Sequence, residues 1–220
     1  MLSNFIEELK ISKYLSNILS QHKVILLYVS GSRIIDTTDD RSDYDLVAVV
    51  DETCQSEKED YLTYKGIKVH WYYNPISNFI AAQGTGLRSC GAVLFANISE
   101  DKIIYANPNY EAVWRLLLSN KNYIAMNGVY EVGKKYSQLI SSIAEDGVIS
   151  VNNYTKILSH LCVASLFVTG MPLDSYAKSM ICQIKRIRWQ SVSEEAKTWC
   201  VEKIVELHRW LQANPQHYKC

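Results

Sequence analysis

Long apolar runs are missing from this sequence. The longest, Val24–Val29 and Leu161–Val168, fall far short of the ~20 residues that span a bilayer. No membrane partner is therefore expected. No secretory signal is expected either, because Glu7 and Glu8 stand where such a signal needs its apolar stretch. No CxxC pair occurs among Cys54, Cys90, Cys162, Cys182, Cys200 and Cys220. Scattered cysteines without a secretion signal read as free thiols of a cytoplasmic protein. His160-Leu161-Cys162 lacks two further ligands at a plausible spacing, so core packing is the better reading there than a metal. A basic excess is absent too, since 23 Lys and Arg balance 23 Asp and Glu. Proteins that grip a long nucleic acid through its phosphates usually carry such an excess or a basic stripe. A nucleic-acid partner is thus allowed but not favoured. No internal repeat or low-complexity tract is visible.

What is present is ordinary globular composition, 48% hydrophobic and 21% charged over 220 residues. That length suits one large domain or two small ones, since domains commonly run ~100–150 residues. The chain changes character near residue 108. Before it, strand-like runs alternate with loops; after it, the pattern is helical almost to the end. The expected division is an α/β domain over 1–107 and a helical, substrate-binding domain over 108–220. The expected class is α+β: a small mixed sheet followed by a C-terminal helical bundle.

The chain opens on a helix, with Ser3 as a candidate N-cap and Phe5, Ile6 and Leu9 at helical spacing. Tyr14, Leu15, Ile18 and Leu19 continue it after a break. Val24–Val29 is an unbroken apolar run rich in branched residues, the pattern of a strand buried on both faces. Ser30-Gly31-Ser32 ends it. The polar stretch 36–43 is a loop, and Tyr44–Val50 is a second buried strand. Tyr61–Tyr64 and Ile67–Tyr73 flank Lys65-Gly66, a hairpin signal. Ile103-Ile104-Tyr105 reads as a last short strand before Asn107-Pro108. Five helices are then expected. Ala112, Val113, Leu116 and Leu117 mark the first. Val132, Tyr136, Leu139, Ile140 and Ile143 mark the second, ended at Gly147. Tyr154, Ile157, Leu158, Leu161 and Ser165 mark the third, stopped by Gly170 and Pro172. Ala177, Met180, Ile181, Ile184 and Ile187 mark the fourth. The fifth is capped by Ser193 and runs to about Leu211.

The segment with chemical content is Ser30–Val50. A buried strand ends in Gly31-Ser32, and Asp43-Tyr44-Asp45 opens the next one. Carboxylates at i and i+2 on a strand point to one face. Two like charges so close repel unless something positive lies between them. Mg²⁺ does this, since it is hard, prefers oxygen and usually takes one or two carboxylates plus substrate phosphates. Gly31 lets a phosphate approach the backbone, Ser32 offers a hydroxyl, and a helix beginning there would favour an anion. Asp-x-Asp alone is a common surface feature. Framed by two apolar strands at this spacing, it reads as a metal-bound triphosphate whose α-phosphorus is attacked while pyrophosphate leaves.

This stretch resembles the nucleotidyltransferase superfamily related to DNA polymerase β. Its signature is a strand, Gly-Ser or Gly-Gly, a spacer of about ten residues, then Asp-x-Asp within a strand. Here Gly31-Ser32, residues 33–42 and Asp43-Tyr44-Asp45-Leu46 match it. Ser42–Leu46 is especially similar to small single-chain members, such as antibiotic nucleotidyltransferases and the minimal ones of toxin–antitoxin pairs. The resemblance implies that Gly31 and Ser32 hold an NTP and that Asp43 and Asp45 bind Mg²⁺ or Mn²⁺. It is specific over residues 24–50, plausible over the rest of the first half and only architectural beyond. The family usually places a third carboxylate on a later strand. Along Ile67–Tyr73, alternation puts Ile67, Val69 and Trp71 on one face and Lys68, His70 and Tyr72 on the other. The aligned residue is His70. It is read as a general base, as a group close to the metal, or as packing, with the base coming from the helical half.

Other residues carry less. Arg33 is read as a phosphate contact or a solvated helix start. Lys134 is a candidate for the β- and γ-phosphates, against a solvated helix face that it shares with Lys135. Lys185, Arg186 and Arg188 with Trp189 form a compact basic cluster, which more often is a solvated face than a phosphate or RNA site. Ser89-Cys90-Gly91 is no nucleophile elbow, since no strand precedes it. The expected function is metal-dependent transfer of an NMP from an NTP to a hydroxyl of a small molecule, protein or RNA. The alternative is a catalytically degenerate nucleotide-binding or regulatory protein on the same fold.

Overall fold

A computed structural model describes residues 2–38, 42–51, 59–83, 86–146, 155–187 and 189–215. Cys54, Gly147, Tyr154, Arg188 and Cys220 lie outside the described residues, as does the side chain of Arg186. The chain forms two compact units. The first comprises Met1–Gln83 and Leu94–Ala125; the second comprises Gly84–Val93 and Met126–Cys220.

The first unit is built on a five-stranded mixed sheet of order β3-β4-β2-β1-β5. Its strands are β1 (Val24–Ser30), β2 (Tyr44–Val50), β3 (Glu59–Tyr64), β4 (Ile67–Pro75) and β5 (Ile103–Ala106). β1 runs antiparallel to β2 and β5, β3 runs antiparallel to β4, and β2 and β4 are parallel. All seven residues of β1 are buried, as a continuous apolar strand in mid-sheet should be. Lys65 and Gly66 turn β3 into β4 with φ of 48° and 80°, the double positive φ of a type I′ hairpin.

Two helices, α1 (Leu2–Lys10) and α2 (Lys13–Gln21), cover one face of this sheet. Phe5, Ile6, Leu9, Leu15 and Ile18 share a core with Leu27, Val29, Leu46, Val69 and Trp71. The break expected between the two helices is capped by Ser12, whose hydroxyl accepts from the Leu15 amide. Ser3 does not cap: α1 already begins at Leu2, so Ser3 sits inside its first turn. On the opposite face Tyr28 packs against Phe79 and Phe95, with ring centroids 6.3 and 5.2 Å away. Those rings come from α3 (Ile76–Ile80) and α4 (Gly86–Phe95). The two helices correct the expectation that, after the opening helical segment, only strands and loops precede residue 108. α4 also places Cys90 within a helix, which agrees with the rejection of a nucleophile elbow. Of the apolar face expected on α5 (Glu111–Ser119), only Leu117 is buried, and Leu116 is 63% exposed.

In the second unit the expected second helix is two: α6 (Lys121–Lys135), part of which belongs to the first unit, and α7 (Ser137–Asp146), parted at Tyr136. α8 (Thr155–Thr169), α9 (Ser175–Arg186) and α10 (Glu194–Ala213) follow the expected pattern. Asp174 caps α9 and Ser193 caps α10, each accepting an amide hydrogen three residues on. α10 packs on α7, α8 and α9, burying Leu158, Leu161, Ile181, Ile184, Ile204 and Leu207. His160-Leu161-Cys162 lies on α8, where Cys162 is fully buried with its Sγ 3.3 Å from Cys200 Sγ. Burial, followed by the Cys200 contact, pushes the Cys162 thiol well above its ordinary pKa. Among the described residues, no helix is long and apolar enough to cross a membrane.

Candidate active site

The site grows from the register of three strands. β1 and β2 pair Ser30 with Asp45, and β2 and β4 pair Asp45 with His70. Alternation then gives each strand two duties. Tyr44, Leu46 and Trp71 enter the core beneath α1 and α2, while Asp45, His70 and Tyr72 point to the other face. Asp43, two residues before Asp45, joins that face. Asp43, Asp45 and His70 each offer a ligand atom, all within 4.8 Å of one another. They are the one such group of three among the described residues. His70 Nδ1 lies 3.9 Å from Asp45 Oδ1. The imidazole is only 7% exposed, and its ring stacks at a tilt on Tyr72, with centroids 3.9 Å apart. Tyr72, which sequence reasoning did not single out, directs its hydroxyl toward Asp45 Oδ1 in a long hydrogen bond of 3.5 Å.

Gly31 is required twice over. Its φ of +67° lies in the left-handed region, and a β-carbon there would stand 1.9 Å from Asp45 Oδ2. The missing side chain is therefore the space that the Asp45 carboxylate fills. Gly31–Arg33 forms a single 3-10 turn. The condition of a helix beginning here is not met: three residues do not build the aligned peptide dipoles that draw an anion. What the turn does offer is Ser32. Its hydroxyl is 1% exposed and has no hydrogen-bond partner among the described residues. Burying a hydroxyl unpaired is costly, so this atom is suited to a ligand.

Arg33 is occupied otherwise than expected. Its Nε donates to the Asp43 carbonyl at 3.2 Å and a terminal nitrogen donates to the Ser42 carbonyl at 2.7 Å. The guanidinium lies 3.9 Å from the centre of the Tyr44 ring, which also stacks on Phe5. Tyr44 faces the core, so Arg33 works on the side of β2 away from Asp45. It ties the end of the loop to the start of the strand and so sets where Asp43 stands. Lys134, on α6 in the second unit, is largely exposed, with its Nζ 3.8 Å from a carboxylate oxygen of the buried Glu131. Lys135 is exposed beside it.

Two carboxylates and an imidazole at this spacing fit a divalent cation. Donors about 2.1–2.2 Å from a shared ion stand roughly 3–4.4 Å apart, and the 3.9 Å between His70 and Asp45 falls in that range. The 4.8 Å limit over all three needs only small side-chain adjustment.

No family model matches the chain, and no curated protein matches it. A solved structure of a nucleotidyltransferase-like protein from Exiguobacterium sibiricum is similar to it at 14% identity, covering 94% of this chain and 74% of that one, with a TM-score of 0.34. Likeness at that level carries no argument, so the site rests on its own residues.

Proposed function

We propose that this chain is a metal-dependent nucleotidyltransferase, moving a nucleoside monophosphate from an NTP to a hydroxyl of a second substrate. One observation supports this above all: Asp43, Asp45 and His70 converge, with Asp45 packed against the bare Cα of Gly31. The motif resemblance of Gly31-Ser32 and Asp43-Tyr44-Asp45 points the same way. Held by Asp43 and Asp45, Mg²⁺ or Mn²⁺ would neutralise the triphosphate and the leaving pyrophosphate. Gly31 leaves room for the Asp45 carboxylate beside the turn, and the Ser32 hydroxyl donates to a phosphate oxygen. The acceptor oxygen bonds to the α-phosphorus while the bond to pyrophosphate breaks. The acceptor's proton passes to a base, for which His70 is one candidate. A small molecule or a protein side chain is the favoured acceptor, because balanced charge does not suit a long polynucleotide.

The imidazole where the family carries a carboxylate favours a second reading, a nucleotide-binding protein that does not turn over. One experiment tests the first and separates it from the second. ATP, GTP, CTP and UTP are titrated with Mg²⁺ or Mn²⁺ against wild type and the Asp43→Ala/Asp45→Ala variant. Nucleotide binding that does not depend on the two carboxylates defeats both readings. Carboxylate-dependent binding with pyrophosphate release supports the enzyme; binding without release across candidate acceptors supports the regulator.

A further inference from the structure

The identity of the third ligand bears on which ion the site takes. An all-carboxylate site is a hard oxygen site, to which Mg²⁺ is suited. Here the third position is a nitrogen. Imidazole is a borderline donor that suits later divalent ions, and affinity for mixed N/O sites rises along the first transition row. Mg²⁺ gains little from a nitrogen ligand and gives up bound water reluctantly. Mn²⁺ takes carboxylate oxygen as Mg²⁺ does and, as a member of that row, gains more from a nitrogen donor than Mg²⁺.

The imidazole is also built in as a ligand would be. Its strand pairs residue for residue with the strand of Asp45, which fixes its Cα opposite the carboxylate. Tyr72 packs on the ring at 3.9 Å, and the residue is 7% exposed. Its Nδ1 is turned toward Asp45, at 3.9 Å from Oδ1. Immobilised ligand rings of this kind raise metal affinity, because little orientational freedom is lost on binding.

We infer that His70 is a direct ligand of the metal and makes this site selective for Mn²⁺ over Mg²⁺. The inference shares its site with the function proposed above but does not need nucleotidyl transfer to occur. It assigns His70 to the metal and leaves proton removal to another group.

The test is metal binding to the full chain without nucleotide. Mn²⁺ affinity is read from the free-ion electron paramagnetic resonance signal, and Mg²⁺ affinity from its competition with bound Mn²⁺. Wild type is expected to bind Mn²⁺ at least about thirtyfold tighter than Mg²⁺, as a nitrogen ligand implies. His70→Asp restores a three-carboxylate site and should cut that ratio about tenfold or more. Electron spin-echo spectra of bound Mn²⁺ should show nitrogen modulation that disappears in both His70→Asp and His70→Gln. Circular dichroism checks that each variant remains folded. Mn²⁺ binding that needs Asp43 and Asp45 but shows no nitrogen modulation, with an unchanged ratio in His70→Asp, overturns the inference while sparing the proposed function. Absence of any metal binding dependent on those carboxylates overturns the inference and leaves the proposed function to the nucleotide titration above, since there the substrate phosphates share the ion. Nitrogen-modulated Mn²⁺ binding without nucleotide affinity upholds the inference and defeats the function.

Discussion

Gly31→Ala separates the metal site from the stability of the fold. A β-carbon at position 31 would lie 1.9 Å from Asp45 Oδ2, 2.8 Å from its Cγ and 3.1 Å from its Cβ. Carbon and oxygen pack comfortably at about 3.5 Å, so the carboxylate must retreat by roughly 1.5 Å. The backbone pays separately: an L-residue in the left-handed region costs about 1–2 kcal/mol. Because the obstructing atoms end a rotatable side chain, the fold survives, and a chain of this size should lose roughly 2–8 °C in Tm. Metal ligation is far less forgiving, since ligand distances hold to about ±0.2 Å. Mn²⁺ affinity should fall at least about tenfold, the effect expected when a ligand is mis-set. Gly66→Ala is the control. Its φ is +80°, but nothing lies within 4 Å of the added carbon. It should show a similar drop in Tm with metal affinity intact. The measurements are calorimetric melting and Mn²⁺ titration on both variants. If Gly31→Ala melts as expected yet binds Mn²⁺ within twofold of wild type, the packing of Asp45 against Gly31 has no part in metal binding, and the reasoning fails.

Three further perturbations probe the surroundings. Arg33→Ala removes the hydrogen bonds to the Ser42 and Asp43 carbonyls, so metal affinity should drop together with about 1–3 kcal/mol of stability; a loss confined to NTP affinity, seen by nucleotide titration, would return Arg33 to the phosphate. Trp71→Ala empties a fully buried position in the core beneath α1 and α2 and should cost about 3–5 kcal/mol in denaturant unfolding. For the cysteines, the raised pKa of Cys162 leaves less thiolate at pH 8 than an ordinary thiol has, so timed alkylation read by mass spectrometry should modify the partly exposed Cys182 well before Cys162 or Cys200; early loss of Cys162 would contradict its burial.

The legible parts of the fold were those where one pattern had one physical meaning. Val24–Val29 and, past Asp45, Leu46–Val50 are apolar on both faces because both strands lie inside the sheet, and the structure gives strands Val24–Ser30 and Tyr44–Val50 the expected bounds, with Ser30 added to the first. Asp174 was overlooked as a cap, yet α9 was found, because its apolar residues recur every three or four positions over three turns. Residues 76–95 escaped because their helices are short. α3 has five residues, too few for a period to show, and α4 contains Gly86 and Gly91, which weaken a helical reading. The break at Tyr136 between α6 and α7 is invisible to periodicity, since Val132, Ile140 and Ile143 stay in phase across it. In the site, Asp43, Asp45 and His70 were legible from alternation. The true surroundings of Arg33 were not, because they depend on a ring that points through the sheet to the opposite face.

That last contrast explains why the site is robust in register. Asp45 stands opposite His70 because β2 and β4 align Leu46 with Trp71 in the core one residue later. Shift β4 by one position and Trp71 would face Asp45, while His70 would enter the apolar layer under α1. Burying an unpaired imidazole in the apolar layer and forcing an indole against the carboxylates costs several kcal/mol. The Lys65-Gly66 turn reinforces the same choice from the other side, pairing Tyr64 with Ile67 and thereby Tyr61 with His70. The polar residues are therefore aligned by their apolar neighbours. A substitution at Trp71 that weakens this preference, such as Trp71→Thr, should loosen metal binding without touching a ligand. Its companion Trp71→Phe keeps an apolar ring in the core and removes an indole N–H that has no partner among the described residues; it should hold the register and keep Mn²⁺ affinity near that of wild type. Equal metal binding in both variants, with Trp71→Thr clearly destabilised, would mean that the ligands hold their own alignment and that the core does not set it.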